Sequence, residues 1–174
     1  MEDNTYIFAA SSVILLCICI IAIIGILIWY FYTSNNVQPV PKNSFRIRHI
    51  GGKCITPINN NVNPINGTPI VYTTNCNPTN QASIFRSTPN GSIQQVTSNK
   101  CINVVDNQTR LVMTDDCNTV NNRFNLTSNN TLRHQLSNKC VQPSSGGINP
   151  GENVPLVLVE NCNGDQTKHS YDPI

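Results

Sequence analysis

A chain of 174 residues, 39% hydrophobic and 11% charged, with a formal net charge of +2, holds one ordinary domain plus an appendage. That excludes a large multidomain enzyme, and 11 Lys+Arg against 9 Asp+Glu leave no cationic surplus for a phosphate backbone, so nucleic acid is not an expected partner. Polarity comes instead from 27 asparagines, which compete for backbone hydrogen bonds and favour turns and short strands over helices.

Residues 1–6 read as a short tail. From Tyr6 to Thr33 there is no charged residue, and the apolar heart is Ile7–Trp29. At 1.5 Å per residue such a run crosses a hydrocarbon core of about 30 Å. Trp29, Tyr30, Phe31 and Tyr32 follow as an interfacial belt. A cleavable signal peptide would want a basic start, a shorter run and a small-residue cleavage site; here Glu2 and Asp3 open the chain and aromatics close the run. The expectation is a signal-anchor helix over 7–32, with the lipid bilayer as partner through Ile7–Trp29. Cys17 and Cys19 within it act as small hydrophobes. Orientation is contested. Lys42, Arg46, Arg48 and Lys53 on the C-terminal flank point that side to the cytosol, whereas the cysteines discussed next favour an external or lumenal face. A virus that assembles in the cytosol and supplies its own thiol oxidation would reconcile the two.

Residues 33–42, with Asn35, Asn36, Pro39 and Pro41, read as a linker. Beyond them six cysteines fall into two alternating types. Cys54, Cys101 and Cys140 each follow a lysine and precede an aliphatic residue; Cys76, Cys117 and Cys162 each end an apolar run and precede Asn. Six cysteines allow 15 pairings. No C-x-x-C occurs and His49, His134 and His169 have no ligand spacing to them, so disulfides are favoured over a metal. Aromatics recur at Phe45, Phe85, Phe124 and Tyr171, spaced 40, 39 and 47 residues apart. Each unit offers four short strands: aromatic-centred, aliphatic (Ile47–Ile50, then around Ile93, then around Leu132), Lys-Cys-aliphatic, and a run such as Ile70–Tyr72, Leu111–Met113 or Leu156–Val159. Three units fall short of a propeller. A solenoid would need caps and leaves Tyr171 unexplained. A closed barrel in which the last strand completes the first unit accounts for it. The fold class expected is all-β, a β-trefoil over 43–174 preceded by one transmembrane α-helix.

The order aromatic, Gly-x-Ile, Lys-Cys-aliphatic, apolar run and Cys-Asn resembles the ricin B-type lectin trefoil. It is plainest in Phe85, Gly91-Ser92-Ile93, Lys100-Cys101-Ile102 and Cys117-Asn118. The resemblance implies one disulfide per unit: Cys54–Cys76, Cys101–Cys117 and Cys140–Cys162, each worth about 3 kcal/mol in the entropy model. It also implies a sugar pocket per repeat. In that family an Asp two residues after the first cysteine accepts sugar hydroxyls, an aromatic before the second cysteine stacks on the ring, and an Asn-Gln pair completes the set. Here the first position holds Thr56, Asn103 and Gln142, and the residues two before the second cysteine are Thr74, Asp115 and Glu160, so neither carboxylate nor stacking ring stands in register; Tyr72 would need a register shift to stack. Asn80-Gln81 and Asp165-Gln166 resemble the amide element. Candidate glycan-binding residues are therefore Gln142, Glu160, Asp165 and Gln166, with Asn103, Asn80 and Gln81 in the other units.

Five N-x-S/T triplets, at Asn66, Asn90, Asn107, Asn125 and Asn129, match the roughly four that chance gives in a chain this rich in Asn, Ser and Thr. No catalytic residue, cofactor or metal is expected. Asp115-Asp116 reads as a solvated turn, and the histidines as surface or strand residues. The residues thus favour a membrane-held recognition or docking module, a subunit of a membrane complex in a viral envelope serving attachment or penetration. The alternative is a ricin B-type lectin for cell-surface glycans.

Overall fold

The structure, a computed structural model, describes residues 18–29, 43–105 and 109–174. The chain divides into two compact units, Met1–Pro39 and Val40–Ile174. In the first, helix α1 covers 18–29 with its side chains exposed. Among the described residues no helix is long and apolar enough to cross a membrane. The expected tail 1–6, the rest of the expected anchor (7–17 and 30–32) and the linker 33–42 lie outside the described residues.

In the second unit asparagine builds the turns. Among the described residues all seven non-glycine residues at positive φ are Asn, a residue whose short amide tolerates the left-handed region. One turn recurs three times. Just before each Lys-Cys pair stands a left-handed residue: Gly52 (φ 80°), Asn99 (φ 58°) or Asn138 (φ 58°). Each lets the lysine carbonyl accept from a strand end five or four residues upstream: from Gln95 and His134 at 2.8 and 2.9 Å, and from His49 at 2.8 Å.

These turns join twelve strands: β1 (Ser44–His49), β2 (Cys54–Pro57), β3 (Ile70–Thr73), β4 (Phe85–Ser87), β5 (Ile93–Gln95), β6 (Cys101–Val105), β7 (Arg110–Thr114), β8 (Phe124–Leu126), β9 (Leu132–His134), β10 (Cys140–Pro143), β11 (Leu156–Val159) and β12 (His169–Pro173). Three hairpins share one register. Ile55 faces Tyr72, Ile102 faces Met113, and Val141 faces Leu158. One layer on, Ile70, Leu111 and Leu156 are fully buried. Alternation puts these rows on one face of each strand, and together with Ile47, Ile93 and Leu132 they form one core. Burying each such side chain contributes roughly 1.5–3 kcal/mol. The hairpins meet one another through Val157–Arg110, Pro69–Val112 and Val71–Pro155 pairings. The remaining strands close through Phe45–Phe85, Ser92–Arg123 and Thr131–Lys168. The result is an all-β trefoil, as expected, with Cys54–Cys76, Cys101–Cys117 and Cys140–Cys162 bridged.

Closure occurs as the repeat pattern requires. β12 pairs antiparallel with β1 from Phe45–Pro173 to His49–His169. Two details differ from the sequence pattern. Phe45 and Ile47 share the single strand β1 rather than opening two strands. Tyr171 is not the register equivalent of Phe85 and Phe124. Phe85 faces Gln95, Phe124 faces His134, and the residue of β12 that faces His49 is His169. Phe124 N–H bonds the Gly91 carbonyl and His169 N–H bonds the Asn130 carbonyl, which confirms the equivalence. Tyr171, two residues on, stacks on Phe45 with ring centroids 4.2 Å apart. Four aromatics at similar spacing thus hide two structural roles.

Candidate functional site

The connection from β2 to β3 is long and pinned on every side. Pro57 ends β2, and Asn59 (φ 62°) and Asn60 (φ 52°) then bend the chain through two left-handed residues. The Asn61 carboxamide oxygen accepts from Asn63 N–H at 2.9 Å, an Asx turn. Gln95 donates to the Asn61 carbonyl at 3.1 Å, and Asn80 donates to the Asn60 side-chain oxygen at 2.9 Å. At the far end Gly67 N–H bonds the Met113 carbonyl and Met113 N–H bonds the Thr68 carbonyl, each at 2.9 Å. Gly67 stands at φ 82°, where a side chain would strain the turn.

The loop encloses a shallow hollow of about 640 Å³. Asn59, Asn60 and Asn61 supply amides, Asn66 lines the edge with its own amide committed to Asp115, and Ile58, Val62, Ile65 and Pro69 supply an apolar floor. Ile65 is 77% exposed at the edge of this hollow. Asn59 holds the left-handed turn with its backbone, and its exposed amide has no partner among the described residues. An uncharged, preformed surface of amides beside aliphatic groups suits a ring with hydroxyls on its edge and C–H groups on its face.

The residues singled out in the sequence are not gathered here. Asn80 is a cap: its oxygen accepts from Ala82 N–H at 3.2 Å and its amide donates to the Asn75 carbonyl at 2.7 Å and to Asn60. It holds the hollow from behind rather than lining it. Gln81 opens the 3₁₀ turn Gln81–Ser83. Asp165 opens the equivalent turn Asp165–Thr167, so Asn80-Gln81 and Asp165-Gln166 stand one residue out of register with each other. The Gln166 carbonyl accepts from His49, and its side chain folds against Gly164. Asn103 and Gln142 lie half-buried mid-strand opposite Val112 and Val157. Thr56, their counterpart, is fully buried, and both Thr56 Oγ1 and Asn103 Oδ1 are buried without a partner. Tyr72 cannot stack on a sugar, because it is fully buried in the core.

The positions two before the second cysteine hold the lysines of the Lys-Cys turns. Lys100 pairs with Asp115, and Lys139 with Glu160 at 3.7 Å. Lys100 and the Asn66 amide hold the Asp115 carboxyl below its ordinary value. In the first repeat Thr74 offers no charge. Lys53 instead approaches Glu152 of the third repeat at 3.8 Å. Glu152 accepts from Thr73 Oγ1 at 2.6 Å and Thr74 N–H at 2.7 Å. Burial would raise its carboxyl, but those bonds with Lys53 outweigh it and hold it low. Asp116 accepts from Asn118 N–H at 2.9 Å in an exposed turn, as its sequence suggested.

The three histidines are buried rather than exposed. Tyr72 hydroxyl and His169 Nε2 lie 2.9 Å apart, His169 Nδ1 bonds the Thr167 carbonyl at 3.0 Å, and His49 Nε2 bonds the Gln166 carbonyl at 2.9 Å. Gly51 N–H donates to His49 Nδ1 at 3.1 Å. Gly51 N–H fixes His49 as the neutral tautomer protonated at Nε2, and the Thr167 carbonyl takes the Nδ1 proton of His169. Burial pushes His169 down to about 3, with His49 as a lesser cause, and burial lowers His49 too.

Solved structures share the fold, two of those that follow in complex with a sugar. The C-half of an earthworm R-type lectin in complex with GalNAc is 15% identical, superposes with a TM-score of 0.65, and covers 77% of this chain and 100% of its own. An agglutinin from Abrus precatorius is 15% identical at a TM-score of 0.64, covering 78% of this chain and 50% of that one. A non-toxic type II RIP homologue from Momordica charantia (bitter gourd), in complex with alpha-methyl-D-galactoside, is 14% identical at 0.63, covering 76% and 49%. At these identities the likeness shows the fold. No curated protein matches in sequence. The family model of the alpha-D-galactose-binding lectins (MytiLec) matches residues 45–171, nearly the whole trefoil, and the chain belongs to that family.

Proposed function

We propose that the trefoil binds carbohydrate, taking an uncharged galactose-type ring in the β2–β3 hollow. The observation that carries this is the pinned loop, which presents the partnerless Asn59 amide beside exposed Ile65 and Val62 on a lectin-family fold. The family and the galactoside and GalNAc complexes of the fold relatives support the same ligand class. This reading replaces the expected docking module with its glycan-binding alternative. A preformed site costs little conformational entropy on binding. The apolar run Ile7–Trp29 would hold the domain at a membrane, and three disulfides suit an external or lumenal face. A virion envelope, where glycan binding would serve attachment, is the setting the anchor-and-domain layout suits.

The test is an NMR titration of the full chain with methyl α-D-galactopyranoside, with methyl α-D-mannopyranoside as control. Saturable shifts should centre on residues 58–69. Asn59→Gly keeps the left-handed backbone and deletes the amide, and should weaken binding about tenfold. Absence of any shift with galactoside or GalNAc at 10 mM (about ten times a Kd of 1 mM, roughly −4 kcal/mol) would remove the lectin reading.

A further inference from the structure

The chain carries three Asn-Gly steps, Asn66-Gly67, Asn90-Gly91 and Asn163-Gly164. In such a step no side chain shields the glycine nitrogen from the asparagine carboxamide carbon. For that nitrogen to attack, the carboxamide must be free to swing toward the chain and the glycine N–H must be out of a hydrogen bond. The fold withholds both freedoms from the first two steps. The Asn66 oxygen accepts from Asp115 N–H at 2.9 Å, its amide donates to the Asp115 carboxylate at 2.7 Å, and the Met113 carbonyl holds Gly67 N–H at 2.9 Å. The Asn90 oxygen accepts from Thr88 Oγ1 and from Ser92 N–H at 3.2 Å, its amide donates to the Cys117 carbonyl at 2.9 Å, and the Thr88 carbonyl holds Gly91 N–H at 3.0 Å. The third step is different. Asn163 is exposed, and neither its carboxamide nor Gly164 N–H has a hydrogen-bond partner among the described residues.

The repeats supply a second comparison. An asparagine follows the second cysteine each time, as Asn77, Asn118 and Asn163. The Asn77 oxygen accepts from Thr79 N–H and Thr79 Oγ1, each at 3.0 Å, and the next residue, Pro78, has no N–H. The Asn118 oxygen accepts from the Asn90 amide at 3.4 Å, and the next residue, Thr119, is β-branched and crowds its own nitrogen. The third repeat alone follows this asparagine with glycine.

We infer that Asn163 is a site of spontaneous deamidation. The Gly164 nitrogen loses its proton and bonds Asn163 Cγ, the Cγ–Nδ2 bond breaks, and ammonia leaves. One water then opens the resulting succinimide at either carbonyl, giving aspartate or isoaspartate. The isoaspartate form routes the main chain through the side-chain methylene, and both forms add a negative charge next to Cys162. The turn that follows is tied to this stretch, because Thr167 Oγ1 donates to the Cys162 and Gly164 carbonyls at 3.0 and 2.7 Å. That turn presents the Gln166 carbonyl to His49 and the Thr167 carbonyl to His169, so a longer backbone at 163 is felt at the closing strands. The inference is independent of the sugar reading.

The experiment incubates the folded full chain at physiological temperature and about pH 8, with the reduced chain in urea as reference, and follows the three Asn-Gly peptides by mass spectrometry after digestion in acid. In urea the three should convert at similar rates. In the folded chain Asn163 should convert at least about tenfold faster than Asn66 or Asn90, whose bonds must open first. Isoaspartate is read by methyl transfer from S-adenosylmethionine with a protein-isoaspartate methyltransferase, and Asn163→Gln should remove that signal. Folded Asn163 as slow as Asn66 and Asn90 overturns the inference, and so does faster conversion at either of those two. Methyl acceptance left unchanged by Asn163→Gln overturns it as well.

Discussion

The closing seam of the barrel and its two internal seams solve one packing problem with different chemistry. In the internal seams a phenylalanine, Phe85 or Phe124, faces a polar residue, Gln95 or His134. In the closing seam His169 takes the phenylalanine's place and faces His49, and Tyr72 from β3 completes a trio with ring centroids 5.2 to 6.1 Å apart. The register equivalents of Tyr72 are Met113 and Leu158, which have no polar atom to match. The closing seam therefore joins its own ring side chains by a hydrogen bond, Tyr72 to His169, where Gln95 and His134 of the internal seams bond instead to nearby turns and carbonyls. A shared backbone register constrains volume and burial, while the polarity of each seam is set by whether its buried atoms find partners.

Removing Tyr72 should break the comparison most severely. Tyr72→Ala leaves a cavity and an orphaned His169 Nε2, and should cost about 4 kcal/mol by urea unfolding, more than Met113→Ala at the equivalent position. Equal losses for the two would mean that the hydroxyl bond adds nothing to the ring. Acid should give the next largest effect. His169 has a folded value near 3, below its unfolded 6.5, so the unfolded chain takes up the proton first. Its contribution to stability is complete above pH 6.5 and is lost as pH falls from there toward 3, at about 1.4 kcal/mol per pH unit. The double variant Tyr72→Met/His169→Phe copies the internal seams and should lower that slope by about one proton between pH 6 and 4. A slope as steep as that of the original chain would show that His49 and His134 carry the acid sensitivity.

The three-fold plan was legible because it is written in covalent and turn chemistry. Lys-Cys-aliphatic marks a left-handed turn followed by a bridged strand, and it does so three times with Gly52, Asn99 or Asn138 at the same place. Register was less legible. Tyr171 and His169 lie two apart on one face of β12, and only the pairing with β1 tells which of them is the counterpart of Phe85. The proposed sugar site was the least legible part. Sequence matching led to positions such as Gln142 and Glu160, whose surroundings are a mid-strand pair and a lysine partner. The hollow instead comes from a loop with its own asparagines, and its only trace in the sequence was the run Asn59-Asn60-Asn61 followed by exposed Val62 and Ile65.

The smallest effect tests how repeats are held to one another. Asn66 of the first repeat clamps the second, accepting from Asp115 N–H at 2.9 Å and donating to its carboxylate at 2.7 Å. Glu152 of the third repeat clamps the first through Thr74 N–H in the same manner, but with a charge that also answers Lys53. Glu152→Gln makes this clamp neutral, like Asn66, and should cost about 1 kcal/mol, modest because the side chain is 43% exposed. The carboxyl is held below its usual 4.5, so its contribution is present above that pH and disappears as pH falls further. Urea midpoints of the original chain and Glu152→Gln should therefore differ at pH 7 and converge near pH 3. A constant gap at both would assign the clamp to shape and hydrogen bonding, and would make the lysine that the first repeat lends to Glu152 a bystander.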